Sequence, residues 1–235
     1  MSPASWQALY GAGGQFPWAV MIVPFAFLLY RAIARERPER ALEPELAPFL
    51  SRWTTAFTLA ALVDPLATGP LADALGAPLA TRALAIAFVL LGDFRVYLLV
   101  MRLRAPEQTA ARAALEAAAL SAIAPILAGL ASLRAGPGQA TWLAHELASL
   151  ALAFALARLA APSELTHARH AAFVRAVLGA MAAYYGLWAA ADVLILCGVD
   201  AGWLVRFVPN QLYYGLFVPF VWARFFGARA EAARA

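Results

Sequence analysis

Lysine is absent from this chain, and all eighteen of its basic residues are arginine. A chain without lysine cannot form a lysine Schiff base, which excludes a retinal-binding photoreceptor of the usual kind. Cysteine is nearly absent too. With Cys197 alone, no intrachain disulfide can form and no cysteine-based metal cluster is expected. The chain also has no glycine-rich nucleotide-binding pattern and no GxSxG, HExxH or CxxC motif. We therefore expect neither a metal nor a cofactor.

Charge is scarce as well. Charged residues make up 14% of the chain and hydrophobic residues 63%, whereas a soluble domain has about 25% charged residues. Together with a mean hydropathy of +0.70, this is the composition of a polytopic membrane protein. The net charge of +4 is compatible with nucleic-acid binding, but the arginines are spread between apolar runs. We therefore expect membrane lipid around the chain and no nucleic-acid partner.

Seven apolar runs are each about 18–25 residues long, which is the length needed to cross the roughly 30 Å core of a bilayer. They do not alternate in polarity, so we read them as helices rather than barrel strands. The predicted fold is an all-α, seven-transmembrane helix bundle in a single integral membrane domain, residues 1–235. The predicted spans are about 16–33, 53–72, 83–101, 113–133, 140–161, 173–198 and 203–223.

The arginines predict the orientation of this bundle. Fourteen of the eighteen fall in alternate connections or in the C-terminal tail, and only Arg82, Arg134 and Arg206 fall on the opposite side. Positive charge collects on the cytoplasmic side of membrane proteins. We therefore expect the N-terminus outside and the C-terminus in the cytoplasm. The expected location is the plasma membrane of a bacterium, its inner membrane, crossed many times.

Asp93 and Arg95 place an acid and a base inside the third apolar run. Asp93 lies eleven residues from Arg82, which is about 16 Å along a helix and close to the bilayer midplane. A charge at this depth costs about 2.5–3.5 kcal/mol or more and is functional by default. Asp64 lies at a similar depth, and polar residues are few on the arginine-rich side. We predict an acidic cavity that opens outward and has its floor near the midplane.

The partners of these charges must come from other helices. Arg95 points about 200° away from Asp93 around the helix axis, so the two cannot easily pair. Asp64 is the candidate partner for Arg95. Arg206, or a proton shared with Asp192, is the candidate for Asp93. An alternative is that these groups form salt bridges that only fix helix packing.

Further site candidates share helical faces with these charges. Tyr185, Trp188 and Asp192 form one stripe on the sixth run, at i, i+3 and i+7. Such stripes also occur where aromatic residues only pack. His145 and Glu146 begin the fifth run, without a second histidine nearby in sequence to complete a metal site. The full set of candidate binding residues is Asp64, Arg95, His145, Glu146, Tyr185, Trp188, Arg206, Asn210, Gln211 and Tyr214.

Two short stretches resemble a known family. Leu90-Leu91-Gly92-Asp93 on the third run, with Asp192 on a late run, is similar to the paired aspartates of the lysoplasmalogenase family. Tyr213-Tyr214-Gly215 extends the likeness. Members of that family are multi-span membrane hydrolases of vinyl-ether lysolipids. The resemblance implies that Asp93 and Asp192 are catalytic.

Three classes of function fit these patterns. The first is a membrane-embedded enzyme for a lipid-like substrate, with Asp93 and Asp192 as general acid and base and with Arg95 or Arg206 holding a phosphate or carboxylate. The second is a transporter for a small solute, protons or other cations. The third is a non-catalytic subunit or binding protein. A homo-oligomer and a membrane partner protein are both compatible with the sequence.

Overall fold

The computed structural model describes residues 5–10, 17–34, 41–68, 74, 76, 78–136, 138–159 and 168–232. Over these ranges the chain is helical and contains no strand, which confirms the predicted all-α class. The helices are α1 (Trp6–Leu9), α2 (Pro17–Ile33), α3 (Ala47–Thr68, after a 3₁₀ turn at Pro44–Leu46), α4 (Pro78–Arg104), α5 (Ala110–Ala135), α6 (Gln139–Leu159), α7 (Ala168–Leu196), α8 (Ala201–Val205), α9 (Phe207–Asn210) and α10 (Phe217–Ala232), with a π-helical turn (Gln211–Leu216) before α10.

Five helical segments are long and apolar enough to cross a membrane, as expected of a multi-pass membrane protein. They correspond to the second to sixth predicted runs. The first predicted run, 16–33, contains a shorter apolar helix, Val20–Ile33, and the seventh, 203–223, is an interrupted helix. The five segments are Pro44–Thr68, Ala83–Arg104, Ala110–Arg134, Gln139–Leu159 and His170–Leu196.

The interruption before α10 has a consequence for the backbone. In the π-helical turn the Phe217 N–H bonds to the Leu212 carbonyl, five residues back. An α-helix would instead pair Phe217 with the carbonyl of Tyr213. The Tyr213 carbonyl is thereby released to accept a hydrogen bond from another helix.

The helices pack into a closed bundle. Helices α4 to α7 each pack against the next, and α4 also contacts α7. The segment from α8 to α10 packs against α7, α2 and α3, and α3 returns to α4. We call the end of the bundle where α6 and α8 begin the Gln139 end. The opposite end, where α4 finishes and α5 begins, is the Arg102 end.

The bundle exposes large apolar side chains on its outside. Ile33 on α2 is 84% exposed, and Leu115 and Leu133 on α5 are 73% and 81% exposed. An apolar surface with so many large exposed side chains is unusual on a soluble monomer. It is the surface that lipid chains would cover.

Asp200 anchors α1 over the Gln139 end. Its carboxylate accepts hydrogen bonds from the backbone N–H groups of Trp6 (2.7 Å) and Gln7 (3.1 Å). These N–H groups lie in the first helical turn, where no intrahelical acceptor is available. The anchor brings Tyr10, directly after α1, over Arg206 and against Phe207.

Candidate functional site

A cavity of about 260 Å³ lies between the helices toward the Gln139 end. Eight of the predicted site residues line it: Asp64, His145, Glu146, Tyr185, Trp188, Arg206, Asn210 and Tyr214. The lining is completed by Tyr10, Thr68, Ala85, Phe88, Val89, Trp142 and Tyr213. Three other predicted residues are buried behind the lining, namely Asp93, Arg95 and Asp192. Gln211 lies in the π-helical turn and is not among the lining residues.

Asp93 is completely buried and contacts two residues of the cavity wall. The Tyr185 hydroxyl donates a hydrogen bond to Asp93 Oδ1. His145 Nε2 lies 3.8 Å from Asp93 Oδ2. The preceding Gly92 has a role of its own, because the Tyr213 hydroxyl occupies the space that a Cβ would need. Gly92 therefore leaves room for Tyr213, and Asp93 binds Tyr185 and lies beside His145.

Several buried polar atoms around Asp93 have no hydrogen-bond partner among the described residues. They are Asp93 Oδ2, His145 Nε2 and the hydroxyl groups of Tyr97, Ser149 and Tyr184. Tyr97 is one turn from Asp93 on α4, and Ser149 is one turn from His145 on α6. Buried polar groups are nearly always satisfied in folded proteins. A concentration of such atoms marks the place where a bound polar group gains most.

Arg95 makes no ion pair with its predicted partner, Asp64. Its Nη2 donates to the released Tyr213 carbonyl at 2.7 Å. The guanidinium carbon also lies 4.2 Å from the Tyr213 ring centre and 4.9 Å from that of Phe217. Asp64 and Arg95 only line the same small cavity. The π-helical turn therefore supplies the acceptor that we had predicted to be an acid.

Asp64 is instead held by hydroxyl groups. Thr68 Oγ1 donates to Asp64 Oδ1 at 3.2 Å, and the Tyr214 hydroxyl is a second donor to this carboxyl. Asp64 lines both the main cavity and the small one beside Arg95, so this residue borders the space available to a ligand.

Arg206 lies between two acids. Its Nη1 donates to Asp192 Oδ1, and its Nη2 lies 3.6 Å from Glu146 Oε1. Gln139 Nε2 also donates to Asp192 Oδ1, at 2.6 Å. The Glu146 and Asp192 carboxyls are within hydrogen-bonding reach of each other. Two acids thus share one guanidinium group.

Asp93 and Asp192 therefore belong to separate clusters, and neither predicted partner of Asp93 is its contact. Its neighbours are Tyr185 and His145. The physical reason lies on α6, where adjacent residues point about 100° apart. His145 is directed to Asp93 and Glu146 to the Arg206 cluster.

Hydrogen bonds also connect polar side chains of the cavity lining to one another. Trp188 Nε1 donates to Asn210 Oδ1 at 2.9 Å, and Asn210 Nδ2 donates to the Tyr10 hydroxyl at 3.3 Å. The polar edges of these side chains are therefore occupied by one another, and the Trp188 ring remains as an apolar surface of the cavity.

Among the lining or supporting residues that sequence reasoning missed, Gln139, Trp142 and Tyr10 show two different reasons. Gln139 and Trp142 lie at i and i+3 relative to Glu146 at i+7, so helical periodicity was a signal that could have found both. Tyr10 had no such signal, because its position depends on the contact of α1 with Asp200.

The described residues hold no group of three or more His, Cys, Asp or Glu side chains suited to a metal ion. Comparisons with protein-family models, curated proteins and solved structures gave no match to the chain. Functional inference therefore rests on the geometry of the site.

Proposed function

We propose that the chain is a membrane-embedded enzyme that acts on a lipid-like substrate through acid–base chemistry. The observation that carries the proposal is the buried Asp93, which binds Tyr185 and lies 3.8 Å from His145 Nε2. Both of these partners line the cavity. An acid beside a histidine at the wall of a cavity is a typical arrangement for general acid–base catalysis.

The side chains would divide the work by position. His145 would move the proton, since its ring is at the wall and a neutral imidazole can accept or donate one. Asp93 would be a positioning residue that holds Tyr185 and balances charge on the nearby imidazole. Asp64 and Glu146 are the acidic residues that line the cavity itself. Asp192 would act through Arg206 and Glu146 rather than on the substrate.

The contacts of Arg206 argue against its predicted role as a phosphate or carboxylate clamp. Two carboxyls already surround its guanidinium group. An anion at this place would meet the carboxyl oxygens of Glu146 and Asp192 along with the positive charge of Arg206. A neutral or cationic substrate fits this electrostatic setting better.

The membrane topology belongs to the same proposal. The chain would cross the membrane seven times, with the N-terminus outside, the C-terminus in the cytoplasm and the cavity open to the outside. Helix α2 and the interrupted segment from α8 to α10 would supply the first and seventh spans. The alternation of the arginines along the chain supports this orientation, and a bacterial inner membrane is the expected location.

The test is reconstitution of the full chain in liposomes, with turnover of the lipids followed by mass spectrometry. Asp93→Asn, His145→Gln and Tyr185→Phe should each lower turnover, the first two by about 100-fold or more. Glu116→Gln is the matched control, because Glu116 is exposed and its partners Arg112 and Gln108 lie at the Arg102 end, away from the cavity. Unchanged turnover in Asp93→Asn and His145→Gln would remove the acid–base proposal. Proton or solute flux that these substitutions abolish, without any lipid turnover, would favour a transporter instead.

A further inference from the structure

The short helix α1 lies at the Gln139 end of the main cavity. Tyr10, directly after α1, is one of the residues that line this cavity. Its ring centre lies 5.3 Å from that of Trp203 and 5.4 Å from that of Phe207. Its hydroxyl accepts a hydrogen bond from Asn210, which is another lining residue. The end of α1 is therefore part of the cavity wall.

Little apolar burial holds α1 in this place. The helix is a single turn of four residues, and an isolated helix of that length is unstable in water. None of the four is buried, and Trp6 and Leu9 are each 41% exposed. The helix packs chiefly on α8. A segment with few buried apolar contacts can open locally while the rest of the protein stays folded.

The hydrogen bonds of its first turn show what keeps α1 formed. The Ala8 N–H donates to Ser5 Oγ and the Leu9 N–H donates to the Ser5 carbonyl, both at 3.1 Å. The N–H groups of Trp6 and Gln7 come too early in the helix to find an acceptor within it. Both donate to the carboxylate of Asp200. Asp200 thus supplies the acceptors for two of these four N–H groups.

The side chain of Asp200 serves α1 rather than its own helix. It occupies the N-cap of α8, where an aspartate usually accepts a hydrogen bond from the first turn of the helix that follows. Here the side chain makes no such bond, and both of its oxygens accept from α1. Helix α8 is fixed by packing instead. A Cβ at Gly202 would lie 2.7 Å from the Ala191 carbonyl oxygen of α7. Loss of the carboxylate would therefore release α1 and leave α8 in place.

We propose that α1 is a lid on the cavity and that the carboxylate of Asp200 holds this lid closed. In the closed position Tyr10 covers Arg206, whose guanidinium carbon lies 5.9 Å from the ring centre. When the lid opens, Tyr10 leaves Arg206 and Asn210, and a solute can enter the cavity from the Gln139 end. Lids sequester a site from water and open fast enough to admit its ligand. This lid would control access whatever takes place in the cavity, so it can be tested without an assay of turnover and can fail separately from the proposed function.

The test measures how fast a thiol in the cavity reacts. The full chain with Cys197→Ser and Thr68→Cys is placed in nanodiscs, which leave both faces open to a membrane-impermeant methanethiosulfonate reagent. Mass spectrometry follows the modification. Asp200→Ala should raise the rate at Thr68→Cys about tenfold, because two charge-assisted hydrogen bonds to the lid are lost. Asp200→Glu keeps a carboxylate and should raise the rate by less than about threefold. An unchanged rate in Asp200→Ala would overturn the lid.

A second variant loosens the lid from its own side. Ser5→Ala removes the side chain that caps α1, does not touch α8, and should raise the rate at Thr68→Cys about threefold. Glu116→Gln, which changes an exposed acid at the Arg102 end, is the control and should leave the rate unchanged. A rate that rises in Asp200→Ala but not in Ser5→Ala would assign the effect to α8 and contradict the proposal.

Two further measurements separate the opening of a lid from a loosening of the bundle. Thr58 is 1% exposed toward the Arg102 end, so the rate at Thr58→Cys should be the same with and without Asp200→Ala. An equal rise at Thr58→Cys and Thr68→Cys would contradict the lid. The amides of Ala8 and Leu9, which bond to Ser5 and not to Asp200, should exchange hydrogen faster in Asp200→Ala by a factor similar to that of the thiol rate. Faster exchange at an unchanged thiol rate would show that α1 moves without covering the cavity, and would also overturn the proposal.

Discussion

The two halves of the bundle use the same helices for different purposes. Toward the Arg102 end, fully buried residues such as Leu99, Leu103 and Leu178 fill the space between helices. The buried hydroxyls of Thr54, Thr58 and Ser121 there donate to carbonyls of their own helix. Toward the Gln139 end, charged side chains reach across to other helices and leave polar atoms unpartnered. Buried polar groups that bond within their own helix support folding. Buried polar atoms that lack a partner beside a cavity indicate a site.

The largest expected difference between the halves concerns ion pairs. Arg206→Met would leave Glu146 and Asp192 buried without their cation, and should destabilise the fold by about 3–5 kcal/mol. Arg112→Met removes an exposed pair with Glu116 and should cost at most about 1 kcal/mol. Unfolding in mixed micelles, followed by circular dichroism, measures both.

Neutralising the two acids tests the cause of that loss. Adding Glu146→Gln and Asp192→Asn to Arg206→Met should restore much of the stability. A single variant Arg206→Met that is no less stable than Arg112→Met would show that the acids near the Gln139 end do not depend on this guanidinium group.

Glycines give the next contrast. Gly92→Ala should lower the free energy of unfolding by about 1–3 kcal/mol, because its Cβ would overlap the Tyr213 hydroxyl. Tyr213→Phe in the same chain should recover part of the loss. Gly179→Ala meets nothing within 4 Å and should be neutral or stabilise the helix by up to about 1 kcal/mol. Equal effects of the two substitutions would contradict the close packing of Tyr213 on Gly92.

The buried and peripheral arginines of α4 should also differ. Arg95→Lys loses the planar stacking on Tyr213 and Phe217 and should cost about 1–2 kcal/mol. Arg102 contacts the Gln108 carbonyl and lies 5.5 Å from the Phe49 ring, so Arg102→Lys should cost less than about 1 kcal/mol. Thermal unfolding of the two variants in one detergent gives the comparison. A larger loss for Arg102→Lys would count against the role of the π-helical turn.

The smallest contrast lies within α3. Thr68→Val removes a hydrogen bond to the Asp64 carboxyl and should cost about 1 kcal/mol. Thr58→Val removes only a bond to the carbonyl of Thr54 in its own helix, so we expect a change within about 0.5 kcal/mol. Denaturant midpoints of the two variants are sufficient to resolve this difference, and a reversed order would contradict it.

Much of the fold could be predicted because helix spans depend on local composition. The runs 53–72, 83–101 and 113–133 correspond to long apolar helices in the structure. The seventh run could not be predicted in detail, because a window of apolar residues does not report the π-helical turn at Gln211–Leu216.

The sequence predicted which residues belong to the site better than it predicted which of them contact each other. Asp93 was singled out because a charge at mid-depth is costly, and His145 and Tyr185 were both named as site candidates. Their contact with Asp93 joins residues 52 and 92 positions apart in sequence. Such contacts depend on how helices rotate against one another, and one sequence does not determine that rotation. The acceptor of Arg95 is a backbone carbonyl, which no residue pattern could reveal.

Accessibility to a membrane-impermeant thiol reagent tests the contrast between the halves most directly. Cys197→Ser removes the native thiol, after which single cysteines replace Thr68 and Ala85 at the cavity and Thr58 and Ser121 toward the Arg102 end. We predict that reagent added outside intact cells modifies the first two rapidly and the last two hardly at all. Comparable modification of Thr58→Cys, or protection of both cavity cysteines, would contradict a cavity that opens outward and ends near the bilayer midplane.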